Sequence, residues 1–169
     1  MNKFKHKIYI QNSQKVITPP KGLCRLIRYA VAMTLEFEGF KAPAEVSVTF
    51  VSDAKIKKLN EEYRNKDSAT DVLSFPMLDG GDEPTAEGDD YVMLGDIVLS
   101  LERAMDQAKN FPHTETPSGG DPFMDETAFL CIHSTLHLLG YDHETGPEDE
   151  AEMFARQNEI MNELRNAVL

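Results

Sequence analysis

Alternation and helical spacing of apolar residues divide the chain into nine elements. HKIYIQ (His6–Gln11) alternates apolar and polar positions and predicts a first strand. Pro19-Pro20 breaks it, and from Lys21 to Glu38 the residues Leu23, Leu26, Ile27, Ala30, Val31 and Leu35 recur at helical spacing. AEVSVTFV (Ala44–Val51) alternates again, as a second strand. Ser52 and Asp53 suit the start of a helix to about Asn65, with Ile56, Leu59 and Tyr63 on its inner face. DVLSFP (Asp71–Pro76) is a short strand stopped by proline, which places it at an edge. YVMLGDIVLS (Tyr91–Ser100) is the most apolar strand and is expected at the centre, with Ser100 capping a helix to about Asn110. Asp125 is read as the cap of a helix that carries two histidines. A final amphipathic helix runs from Pro147 to about Ala167, with Glu148, Asp149 and Glu150 at its positive end. The polar stretches Asp79–Asp90 and His113–Pro122 read as loops. Strands and helices in this order predict an α+β fold, a mixed four-stranded sheet with packed helices, in a single domain over residues 1–169.

Charge adds a second pattern. The net charge is −12, yet residues 1–66 carry 13 Lys+Arg against 6 Asp+Glu, and residues 67–169 carry 4 against 23. A basic N-terminal half beside acidic loops is compatible with a polyanion partner or with plain solvation. No apolar run approaches a membrane span and no signal-peptide pattern opens the sequence. The two cysteines, Cys24 and Cys131, form no disulfide framework. A cytoplasmic protein with no membrane partner is expected.

Candidate chemistry concentrates in HSTLHLLGYDH, His133 to His143, which holds three of the five histidines. His133 and His137 are four residues apart and project from one helix face. Gly140 suits the left-handed turn that ends a helix and brings His143 back toward the pair. Three imidazoles with an open fourth position are a catalytic zinc arrangement, though the same donors suit nickel, copper or iron. A metal held by neutral imidazoles keeps its double charge and acidifies bound water, which points to hydrolysis. Cys131 lies about 200° around the helix from His133 and reads as a buried thiol. Glu126, two turns before His133, is about 10 Å away along the axis, too far to join the ligands. It reads as a helix-start carboxylate or a partner of the ligands. Metalloproteases with this histidine spacing place a glutamate after the first histidine as general base; here that position is Ser134, which disfavours peptide hydrolysis.

HSTLHLLGYDH resembles the signature HGxLHLxGYDH of the YbeY family of bacterial endoribonucleases. LNEEYRNKDSATDVLSFP (Leu59–Pro76) is similar to that family's LNxxYRxxDxxTDVLSFP block, LGDIVLS (Leu94–Ser100) to its third, and Ala104, Gln107, Ala108 and His113 to the segment that follows. The resemblance implies a zinc-dependent endoribonuclease specific for single-stranded RNA. Its implied role is maturation of ribosomal RNA at the small-subunit 3′ end, and ribosome quality control. Ribosomal RNA and the small subunit would be its partners, and DNA would not. It implies His133, His137 and His143 as zinc ligands, and Arg64 and His137 as catalytic residues. A guanidinium at Arg64 suits this role, since it can hold a phosphate by two hydrogen bonds. Lys55, Lys57, Lys58 and Lys66 are candidates to hold the RNA backbone. Asp71 reads equally as a strand cap or as a residue orienting a histidine or water. Ser134 replaces the family's glycine and adds a side chain where close approach would be possible. The rival readings are a non-catalytic ribosome-assembly factor with a structural metal and, less favoured, a metalloprotease.

Overall fold

The computed structural model describes residues 5–78, 90–110, 121–141 and 146–168. The acidic segment 79–89, the segment 111–120 with His113, and residues 142–145 with His143 lie outside the described residues. The elements are β1 (Lys7–Asn12), α1 (Leu23–Phe37), β2 (Ala44–Val51), α2 (Asp53–Arg64), β3 (Val72–Pro76), β4 (Val92–Ser100), α3 (Leu101–Asn110), α4 (Pro122–Leu138) and α5 (Pro147–Val168). They form the expected α+β architecture.

The sheet order is β1-β2-β4-β3, so the apolar strand β4 is interior and the proline-stopped β3 is an edge. β1, β2 and β4 run parallel, and β3 is antiparallel to β4. Strand alternation separates two cores. Ala44, Val46, Val48 and Phe50 of β2 and Ile97 and Leu99 of β4 join the main core with α1, α3, α4 and α5. Val51, Leu73 and Val98 form a smaller core under Ile56 of α2.

The sheet carries one irregularity. Glu45 pairs with Met93 and Val46 with Gly95, leaving Leu94 as an extra residue in β4. Gly95, opposite Pro76 of β3, takes φ 143, and a Cβ there would lie 2.2 Å from the Phe75 carbonyl oxygen and 2.9 Å from Leu138 Cδ2.

Local signals explain most helix ends. Ser52 accepts from Lys55 N at the start of α2, and Ser100 accepts from Arg103 N at the start of α3. Ser100 also donates to Asp53, tying the two helix starts together. The expected cap of α4 needs correction. Asp121, not Asp125, caps it: Asp121 Oδ1 accepts from Phe123 N and Met124 N, with Pro122 in the first turn. Such a cap contributes about 1 kcal/mol. Asp125 lies inside the first turn and is fully buried.

α4 also differs from a one-sided amphipathic helix. Ile132, Leu136 and Cys131 are buried as expected, but so are Ala128, Leu130, Ser134, Thr135 and Leu138. The helix contacts β3 and β4 as well as α1, α3 and α5, so most of its circumference faces protein. Thr127 and Thr135 meet this burial by donating to the carbonyls of Phe123 and Cys131. Burial pushes the Cys131 thiol pKa well above its ordinary value, in keeping with an inert core residue.

Candidate functional site

The C-terminal turns of α2 and α4 meet over β3. Asn65, in the left-handed conformation at φ 56, ends α2 just after Arg64. Asn60, 2% exposed, donates to the Ser68 carbonyl and pins the segment that leads into β3. α4 ends as the sequence predicts: Gly140 has φ 103, Gly140 N donates to His137 O, and Tyr141 N donates to Leu136 O.

These endings enclose a cleft of about 820 Å³ lined by Tyr63, Arg64, Lys66, residues 70–76, His133, His137, Gly140 and Tyr141. Arg64 and the histidine pair, remote in sequence, therefore share one cavity. The imidazoles are half-buried, with Nε2 of His133 and Nε2 of His137 3.1 Å apart. Two such nitrogens can share a proton or a metal ion. Donors about 2.0–2.1 Å from a tetrahedral zinc would be separated by about 3.3 Å. Among the described residues no group of three His, Cys, Asp or Glu side chains is arranged to hold a metal. His143, the third expected ligand, is outside them.

The other candidates separate. Lys66 lines the cleft; Lys55, Lys57 and Lys58 do not, and Lys57 lies 3.6 Å from Asp67 instead. Glu126 is buried and is not among the lining residues. Asp71 borders the cleft, but Oδ1 accepts from Val72 N at 2.7 Å and Oδ2 from Gln107 Nε2 at 3.0 Å. Those bonds support the strand-cap reading and explain the polar position in α3. Ser134, fully buried, is hydrogen-bonded through Oγ to Ser74 Oγ of β3. The hydroxyl standing in the glycine position is thus matched across the helix–strand contact.

Three contributions to the site were not evident from the sequence. Tyr63, expected on the inner face of α2, is instead 61% exposed and packs edge-to-face on Phe75, centroids 5.2 Å apart, making an aromatic wall beside Arg64. Ser74 acquires its partner only when β3 docks on α4. Gln157 of α5 is 1% exposed, and its side-chain amide lies 2.9 Å from His133 Nδ1. Among the described residues Gln157 Oε1 has no hydrogen-bond partner with Nε2 facing the ring. Turning the amide end over puts Oε1 against a protonated Nδ1 and leaves the Nε2 lone pair of His133 directed into the cleft, with the amide NH2 then in the position of the former oxygen. Nothing in the local pattern of α5 signals this role.

Tyr141 anchors the segment after Gly140. Its hydroxyl donates to Glu38 Oε2 at 2.8 Å, and burial with this carboxylate pushes its pKa up to about 12. The sign follows from the raised value: the stabilisation is fully present below the unfolded pKa of about 10 and is lost as pH rises through the folded value. Tyr141→Phe is expected to cost about 1 kcal/mol at neutral pH. The deficit in chemical denaturation should shrink above about pH 10, and a pH-independent deficit would count against the Glu38 bond as its source.

Fold and cleft together define a small α+β protein with a histidine–arginine site beside an edge strand. The profile described as "Endoribonuclease YbeY" matches residues 9–165. Relatives bearing that name include one from Clostridium acetobutylicum, 42% identical with 92% of this chain and 96% of the relative covered. Another, from Bacillus cereus, is 44% identical with 80% and 83% covered. The solution structure of TM1509 from Thermotoga maritima is also similar, with TM-score 0.57, 28% identity, and 95% of this chain and 90% of that one covered. The chain belongs to the endoribonuclease YbeY family. No helix among the described residues is long and apolar enough to cross a membrane.

Proposed function

We propose that this chain is a zinc-dependent endoribonuclease that cuts single-stranded RNA, acting in the cytoplasm on ribosomal RNA of the small subunit during maturation and quality control. The carrying observation is the single cleft that joins Arg64 to the paired Nε2 atoms of His133 and His137. Family membership supplies the reaction class, since the relatives are named as endoribonucleases. His133, His137 and His143 would hold the ion. When bound, it supplies a concentrated positive charge that acidifies water and offsets charge building on a phosphate. Arg64 holds a phosphate oxygen by its forked N–H groups, and Lys66 adds a second cation at the same rim. Tyr63 and Phe75 present aromatic faces on which an unpaired base can stack, which favours single strands over duplex. The buried Ser134, bonded to Ser74, offers no carboxylate to serve as a protease base.

Cleavage of a single-stranded oligoribonucleotide by purified wild type, with and without chelator, tests the proposal alongside Arg64→Ala. Chelator is expected to abolish cleavage and Arg64→Ala to lower kcat/KM on the order of 10²-fold. Cleavage unchanged in every arm would refute it. Gln157 gives an independent measurement on the ion. Gln157→Leu is expected to weaken zinc affinity by about 10–100-fold in equilibrium competition with a chromogenic chelator. Gln157→Glu, which still accepts from Nδ1–H, should retain affinity. Equal affinities for wild type and Gln157→Leu would remove Gln157 from the site.

A further inference from the structure

A second concave surface lies at the opposite edge of the sheet from the cleft. The groove between β1 and α1 has a volume of about 850 Å³ and is lined by Lys5, Lys7, Arg25 and Arg28 together with Tyr9 and Tyr29. Tyr9 and Tyr29 are 51% and 44% exposed, large for aromatic side chains with no core to fill. Arg25 stacks over the Tyr29 ring at 5.6 Å, and Arg28 Nε donates to the Ile8 carbonyl, tying α1 to β1 along the groove. Residues 1–35 contain seven Lys+Arg and no Asp or Glu, in a chain of net charge −12. Glu45 stands opposite Lys7 in the strand register and Glu36 acts electrostatically on His6. The cationic excess therefore falls to Lys5, Arg25 and Arg28.

Cations that track a phosphate backbone, interleaved with exposed aromatic rings that stack on bases, are the physical requirements for holding a single strand of nucleic acid. We propose that the β1–α1 groove is a second binding site for single-stranded RNA, which grips the strand away from the cleft where it is cut. This rests on the ribonuclease reading for the identity of the strand. β1 and β3 are three strand spacings apart, about 14 Å, so a strand of several nucleotides can reach both sites.

The proposal predicts a dependence on substrate length. Lys5→Glu/Arg25→Glu changes two exposed residues outside the catalytic cleft. It is expected to raise KM about tenfold for a single-stranded RNA of about 30 nucleotides while kcat stays the same. Cleavage of an RNA of only about two nucleotides, too short to span the roughly 14 Å between the two sheet edges, should be unchanged. In fluorescence anisotropy with the longer RNA, the slope of log affinity against log salt should fall by about 1.4, or about 0.7 for each phosphate that the variant no longer neutralises. Tyr9→Ser/Tyr29→Ser should weaken long-strand binding without altering that slope. An unchanged KM and salt slope in the charge variant would overturn the groove as an RNA site while leaving the cleft reading intact. Conversely, wild type that binds the long RNA but cleaves none, with binding abolished in the charge variant, would keep the groove and refute the nuclease.

Discussion

His137→Ala is expected to lower cleavage of single-stranded RNA by on the order of 10³-fold or more, and to reduce bound zinc from one equivalent to a small fraction. The magnitude follows from the several kcal/mol by which a divalent ion stabilises charge on a reacting phosphate, at about 1.4 kcal/mol per tenfold in rate. His137 suits this test better than His133. It sits half-exposed in the last turn of α4, and alanine is a good helix former there. His133 is also engaged by the buried amide of Gln157, so its removal mixes loss of an ion with loss of a core hydrogen bond. The His137 variant should therefore unfold close to chelator-treated wild type, though below the zinc-loaded protein, because an ion that binds only the native state stabilises it. Metal content measured beside cleavage separates the rival readings. Loss of metal with cleavage intact would make the ion structural and leave catalysis elsewhere, whereas retained metal with cleavage abolished would assign His137 to the chemistry alone.

The framework of the fold was legible wherever one face of an element meets water. The spacing of Leu23, Leu26, Ile27, Ala30, Val31 and Leu35 marked the buried face of α1, and all six are buried. Alternation along Ala44–Val51 set which residues of β2 enter the main core, and proline at the end of β3 indicated an edge. Periodicity said least about α4, because a helix enclosed by sheet and three helices is not one-sided. Its start was misplaced at Asp125, which the helix geometry shows already buried inside the first turn, with Asp121 as the cap. Within the site, the four-residue histidine spacing and the turn at Gly140 could be read locally. The pairing of Arg64 with the histidines came from resemblance, and its physical basis is the meeting of two helix C-termini over one strand. Gln157, and Ser74 as the partner of Ser134, remained invisible because each depends on the docking of separate elements. The charge split was compatible with a polyanion partner or with plain solvation. It could not show that its cations divide between the cleft rim at Lys66 and Arg64 and the groove at the far edge of the sheet.

Gly95→Ala is expected to destabilise the protein by on the order of 3 kcal/mol, lowering Tm by about 10 °C for a chain of this size. Two costs add at this residue. Its φ of 143 is a conformation L side chains rarely adopt, and a Cβ would meet the Phe75 carbonyl oxygen at 2.2 Å and Leu138 Cδ2 at 2.9 Å. The Phe75 oxygen belongs to the backbone, so no rotamer change relieves the clash. β3 must move off β4, straining the bond from Met77 N to Leu94 O, or the extra residue at Leu94 must reposition. Leu138 directly follows His137, and Phe75 forms the cleft wall with Tyr63, so the same displacement disturbs both sides of the site. Gly146→Ala separates the two costs. Gly146 has a comparable φ, 154, but no atom among the described residues within 4 Å of the added Cβ, so it should lose only the conformational part, about 1 kcal/mol. Denaturant unfolding of both variants measures the difference. Equal losses would mean that backbone conformation alone demands glycine in LGDIVLS. A larger loss at Gly95 would assign that glycine to the close stacking of β3, β4 and α4 on which the cleft is built.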